Sequence, residues 1–287
     1  MGRVVFAGAM SHAPAATGWP ERASEEERSR FYTGAEALGQ ELLAAKPDVL
    51  LVFANDHVLN YDLDNMPDLA IGIGDRHAGP GDWFQAWLKV PPWTLPGDPE
   101  TARAVHRGLA RRGVRMAVQR DDFIYDENLT VPFALMHIAD SEIPTVPVLM
   151  NVSVPPVMSS ERVYDIGMKL RDTIATELHP DLRVALLATG GLSHEPGGPG
   201  YLTINREFDE WALRLLSTAD HATCVRELTF ERMEAAGTGG TGEMLAWLLV
   251  MGAGPDRPCE VLAYEAPPAW RCGMGVVRWP VGASSDA

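Results

Sequence analysis

At 287 residues, with 46% hydrophobic and 22% charged side chains, the chain is long enough to bury a proper core. Its 39 acidic against 24 basic residues leave a formal charge of -15, which argues against nucleic acid or an anionic membrane surface as main partner and favours small or neutral ones. Cys224, Cys259 and Cys272 show no C-x-x-C spacing, and no segment approaches about 18 uninterrupted apolar residues, so no disulfide framework, zinc finger or membrane span is expected and a cytoplasmic protein is predicted.

The run Val4 to Ala9 reads as a buried strand, and Ser24 before Glu25 to Glu27 caps a helix that carries Leu38, Leu42 and Leu43. Pro47 and Asp48 end it and launch a second buried strand, Val49 to Ala54, giving a β-α-β unit. From Tyr61 to Pro96 the chain is rich in Asp, Gly, Pro and Trp, with a short strand at Ala70 to Ile73. This excursion either covers a pocket or seals the core edge with Trp83, Trp87 and Trp93. Asp98 and Pro99 then open a helix to Arg112, closed by Gly113. A short strand at Met116 to Val118, a helix at Thr130 to Ala139 and a strand at Thr145 to Val152 follow. A helix runs from Ser159 or Ser160 to Glu177, and a strand occupies Val184 to Ala188. A long loop, Thr189 to Gly200, leads to an amphipathic helix at Asn205 to Leu216. Gly237 to Gly242 forms a turn ending in Glu243, in the first turn of an apolar helix Met244 to Met251, and strands near Val261 to Tyr264 and Gly275 to Trp279 close the sheet.

This order predicts an α/β protein with a mostly buried central mixed sheet flanked by helices. No linker or repeat divides it, so one domain over residues 1–287 is expected. Residues leaving the carboxyl ends of such strands gather in one crevice. His12, His57 and His194 each follow a strand-like run by a few residues, and Glu243 ends its glycine-rich turn. Two imidazoles and one carboxylate on one face of a divalent ion form the ligand set typical of non-haem Fe(II) oxygenases. Taken singly, each histidine reads as an ordinary polar residue at a strand end, and Glu243 as a carboxylate compensating a helix dipole. His106, His137, His179 and His221 lie in helix-like or helix-end segments and read as surface or packing residues, whereas the loop around His77 is either a pocket element or a turn.

The phrases Ser11-His12-Ala13-Pro14, Asn55-Asp56-His57, Thr189 to His194, Ile204-Asn205 with Phe208-Asp209, and Glu243 with Trp247-Leu248 occur in this order over nearly the whole chain. Together they resemble the class III extradiol ring-cleavage dioxygenases, of the protocatechuate 4,5-dioxygenase catalytic-subunit type. The resemblance implies that His12, His57 and Glu243 bind a catalytic non-haem Fe(II), with O2 as co-substrate. It also implies that His194 is the acid/base residue and that Asn55 supports the centre or touches the substrate. The substrate would be a small catechol, gallate or aminophenol, and the assembly a homo-oligomer, with a small partner subunit in some relatives.

The chain departs from that pattern where the family shows Asp-His-Gly before a Val-Pro pair; it reads Asp126-Glu127-Asn128 ahead of Val131-Pro132. Glu127 in the pocket would disfavour an anionic group and suit an amine or hydroxyl; facing water it would be a turn residue. Near the C-terminus, Trp270-Arg271 replaces small hydroxyl residues, and Arg271 either pairs a substrate carboxylate or lies on a surface loop. A zinc or manganese hydrolase and a catalytically silent metal-binding module are the alternatives to a dioxygenase.

Overall fold

The computed structural model describes residues 2–282. Its strands are β1 (Arg3–Met10), β2 (Val49–Asn55), β3 (Leu69–Gly72), β4 (Arg76–Gly79), β5 (Trp93–Pro96), β6 (Ala117–Gln119), β7 (Thr145–Met150), β8 (Arg183–Thr189), β9 (Glu260–Glu265) and β10 (Met274–Arg278). Eight form one mixed sheet in the order β6-β3-β7-β2-β8-β1-β10-β9, and β4 and β5 form a separate antiparallel hairpin. The central strands β7, β2, β8 and β1 run parallel, and β3 and β10 pair antiparallel to the outer two. The alternating side-chain period divides β2 between two cores: Val49, Leu51 and Phe53 enter one, Leu50, Val52 and Ala54 the other.

The helices are α1 (Ala15–Gly18), α2 (Glu25–Ala44), α3 (Asp82–Leu88), α4 (Pro99–Arg111), α5 (Glu127–Leu135), α6 (Ser160–Glu177), α7 (Arg206–Leu216), α8 (His221–Glu227), α9 (Phe230–Ala236) and α10 (Leu245–Ala253). α4, α6 and α10 cover one face of the sheet, and α2 and α5 the other. Their starts follow local chemistry. Ser24 and Glu27 form a reciprocal capping box on α2, and Asp98 accepts the Thr101 N–H (2.9 Å) with Pro99 in the first turn of α4. None of the helices among the described residues is long and apolar enough to cross a membrane.

Three local expectations change. The helix expected from Thr130 begins at Glu127 and ends at Leu135, because Asp126 accepts the Asn128 N–H (2.8 Å) and caps it three residues earlier. Glu243 lies in a 3₁₀ turn (Thr241–Met244) ahead of α10, since the chain enters the helix through a tighter turn after its glycines. Beyond β3, where the short strand is expected, the excursion 61–96 is built as the β4–β5 hairpin and α3. Of its tryptophans, Trp93 is buried, while Trp83 and Trp87 are 78% and 38% exposed and Trp87 lines the pocket, so the excursion both covers a pocket and seals a core edge.

Candidate metal centre

The parallel strands deliver their following residues to one edge of the sheet. Met10 lies opposite Thr189 and Phe53 opposite Ala188, so the segments carrying His12, His57 and Gly190 to His194 leave side by side. Local bonds hold each exit. Ser11 takes the Gly275 N–H on its Oγ (2.9 Å) and gives its own hydroxyl to the Gly273 carbonyl (3.1 Å). The Asp56 carboxylate accepts the Asn60 N–H (3.2 Å) and side-chain amide (2.7 Å), which turns the chain just after His57.

Glu243 is the hub. Its Oε2 lies 3.2 Å from His12 Nε2 and accepts the Gly191 N–H (2.6 Å), while its Oε1 lies 3.1 Å from His57 Nε2 and 3.6 Å from His194 Nε2. The far nitrogens are engaged elsewhere: His57 Nδ1 with Asp126 Oδ2 (2.8 Å), His12 Nδ1 with Thr189 Oγ1 (3.2 Å) and His194 Nδ1 with the Leu192 carbonyl (2.9 Å). A carbonyl only accepts, so His194 Nδ1 carries a proton, and Nε2 faces the pocket bare only when the ring is neutral. Glycine makes this crowding possible. A Cβ at Gly191 would stand 2.4 Å from the His194 ring, and one at Gly240 2.6 Å from the same ring.

Burial and charge act against each other here. Burial disfavours a charged His57, but Asp126 and Glu243 outweigh it and hold the imidazole well above its ordinary pKa. Burial likewise opposes a charged His194, and the neighbouring Cys272 and Glu243 raise it. Against its own burial, Glu243 is held well below the usual carboxylate range by His12 and His194. Glu127 is pushed up to about 7, by burial first and the Asp126 charge second.

The donor set fits a divalent ion. One donor atom each of His12, His57 and Glu243 lies within 4.8 Å of the others, a spacing one ion can bridge; His194 falls outside this group. The carboxylate behind His57 is the usual partner of a metal-binding imidazole. Asn55, at the end of β2, is fully buried, and neither its side-chain oxygen nor its side-chain nitrogen has a hydrogen-bond partner among the described residues.

A cavity of about 360 Å³ opens beside these groups. Trp19, Trp87 and Trp270 give it aromatic walls, and Glu127, Cys272 and Arg271 line it with His12, His57, His194 and Glu243. The Arg271 guanidinium lies over the Tyr201 ring, 4.2 Å from its centre, so it belongs to the pocket rim. His77 does not reach the pocket: it is buried in β4 with Nδ1 3.0 Å from the Tyr125 hydroxyl. His221 is a packing residue, 3.1 Å from the Tyr164 hydroxyl. Sequence reasoning missed Asp126 as the partner of His57, Cys272 beside His194, and Trp19. An earlier start for α5 was the available signal for Asp126, since it is also the helix cap; nothing local marked the other two.

The family described as the catalytic LigB subunit of aromatic ring-opening dioxygenase matches residues 7–275. Among curated relatives, a 2,3-dihydroxyphenylpropionate/2,3-dihydroxicinnamic acid 1,2-dioxygenase of Photorhabdus laumondii is 26% identical over 201 residues, 70% of this chain and 59% of that protein. A protein of the same name from a Rhodococcus species is 27% identical over 191 residues, 67% of this chain and 56% of that one. The aligned region thus spans well under two thirds of those relatives, and neither carries the protocatechuate name. The crystal structure of uncharacterized protein JW3007 from Escherichia coli K12 aligns over 95% of this chain and 99% of that one, with a TM-score of 0.54 and 16% identity, a likeness of fold.

Proposed function

The chain belongs to the LigB family of aromatic ring-opening dioxygenases, and from that premise we propose that it is one catalytic domain, an Fe(II)-dependent extradiol dioxygenase that opens a catechol-type ring with O2. The observation that carries this reading is the convergence of three Nε2 atoms on Glu243, two at ion-bridging spacing and the third outside it. His12, His57 and Glu243 would hold the iron, which supplies the joint binding and electron exchange between catechol and O2 that side chains alone cannot. With one carboxylate and two imidazoles as its protein ligands, the ion would stay accessible to both. The buried, reduced state of Cys224, Cys259 and Cys272 suits a cytoplasmic setting.

His194 Nε2 takes a proton from one catechol hydroxyl and returns it as the ring opens, with Leu192 holding the Nδ1 proton throughout. The Asn55 amide supplies a donor and an acceptor behind the centre. The walls exclude water and stack the ring. Arg271 at the rim suits a carboxylate at the end of a ring substituent, as in the substrate named for the relatives above. Glu127 beside His57 disfavours an anionic group close to the reacting carbons and favours a hydroxyl or amine there.

The test is oxygen uptake by the anaerobically purified, Fe(II)-loaded protein across catechols with and without carboxylate tails, gallates and aminophenols, with His12→Ala as control. Uptake with a new yellow chromophore, absent in the control, is expected. No uptake with any ring would overturn the reading.

A further inference from the structure

We propose that Asp209 is a positioning residue for His194, acting through Ser193; this rests on the acid/base reading of His194 above. Asp209 lies in α7, outside the pocket lining, and is fully buried. A buried carboxylate is costly to keep unless it is fully hydrogen-bonded. Here Oδ1 accepts the Ser193 N–H (2.8 Å), and Oδ2 accepts the Ser193 hydroxyl and the Tyr264 hydroxyl (2.9 Å each). All three partners are donors, and the serine has little choice, since its Oγ already accepts the Asn205 N–H (2.8 Å).

Ser193 is therefore gripped through both backbone and side chain, one residue before His194. The opposite side of the loop is clamped by Gly273, whose carbonyl takes the Leu192 N–H (3.2 Å) and whose N–H goes to the Ser193 carbonyl (3.0 Å). Any other residue at 273 is excluded, because a Cβ there would stand 2.0 Å from Asp209 Oδ2. Leu192, whose carbonyl holds the His194 Nδ1 proton, sits inside this clamp. A shift of Ser193 would move the imidazole and its proton anchor together, and catalytic geometry tolerates only about 0.5 Å of such displacement.

An acceptor-only group is what the three donors require. Asp209→Asn places an NH2 where a donor already points, which loosens Ser193 while preserving size. With the Fe(II)-loaded protein and its best catechol, Asp209→Asn is expected to keep metal content and KM but lower kcat by about 10- to 100-fold, the usual loss when a partner that orients an active group is removed. Added to His194→Ala, it should cause no further loss. Full kcat in Asp209→Asn, or an equal loss in both backgrounds, would overturn the proposal in favour of a general structural role. A second arm does not depend on turnover: the NMR signal of the His194 Nδ1 proton in the metal-free protein should broaden or vanish in Asp209→Asn, and an unchanged signal would overturn the placement. If the wild type opens no ring, the dioxygenase reading fails by itself while this arm still decides the positioning. Should Asp209→Asn not fold, Tyr264→Phe, which removes one donor, is expected to shift kcat and the proton signal in the same direction by a smaller factor, and no change in either would overturn the proposal.

Discussion

His57, at the carboxyl edge of the sheet, and His77, in the β4–β5 hairpin, both lose much of their water, with opposite results. Burial drives His77 down to about 4 against the weaker opposing charge of Asp75; its Nδ1 meets the Tyr125 hydroxyl at 3.0 Å, with the Asp122 carboxylate farther off at 3.9 Å. Around His57 the same penalty is overcome by Asp126 and Glu243, and the imidazole holds its proton well above the ordinary pKa. Burial therefore makes a silent histidine unless a carboxylate stands within direct hydrogen-bond reach of the ring. The edge of the sheet becomes a site because a helix cap and a 3₁₀ turn bring the Asp126 and Glu243 carboxylates to it, and a group that binds a proton so well is ready to exchange it for a cation.

The contrast can be broken most completely at Glu243. Glu243→Ala removes the one carboxylate that all three imidazoles face, and metal content measured after Fe(II) loading should fall to background with oxygen uptake lost. His194→Ala tests the other side of the centre. Iron should stay bound while turnover drops by about 10²- to 10⁴-fold, and loss of the metal would instead make His194 a ligand.

The His77 half of the comparison is sharpened by pH. Its folded pKa lies below the unfolded value of 6.5, so the stability it contributes is intact above pH 6.5 and is lost as pH falls toward 4, by at most about 3 kcal/mol. Denaturant midpoints in the metal-free protein between pH 7 and 4 should show a shallower fall in His77→Gln than in the wild type. Asp126→Asn should weaken Fe(II) binding by about 10- to 100-fold, because the amide carries no charge and its one oxygen cannot serve both the His57 Nδ1 proton and the Asn128 N–H. Trp83→Ala, on the exposed side of the same excursion as His77, should change stability by less than about 0.5 kcal/mol.

The strands and their exits were legible because buried parallel strands leave short runs of Val, Leu and Ala, and His12 and His57 stand directly after two of them. The capped helices α2, α4, α6 and α7 were legible for the same local reason, a Ser, Asp or Asn whose oxygen meets the third N–H. The β4–β5 hairpin, α3, α8 and α9 were not, since segments of four to seven residues carry too little periodicity to separate from loop. The pairing of Asp126 with His57 escaped notice because the two are 69 residues apart in sequence, and it exists only once α5 packs beside β2. Arg271 was visible as a residue and not as a rim group, because its neighbour Tyr201 comes from a distant loop.

The bonds from Ser11 to Gly273 and Gly275 have a bearing on the order of assembly. Every proposed ligand lies at or before Glu243 in the sequence, yet the backbone that pins the exit of β1 and the Ser193 loop comes from Gly273 and Gly275, beside β10. The two partners lie 262 and 264 residues apart, so this closure is among the slowest kinds of contact a chain can make. The metal would then be captured by a closed sheet, and a released chain cut back to residue 260 should take up no Fe(II) in an anaerobic loading assay.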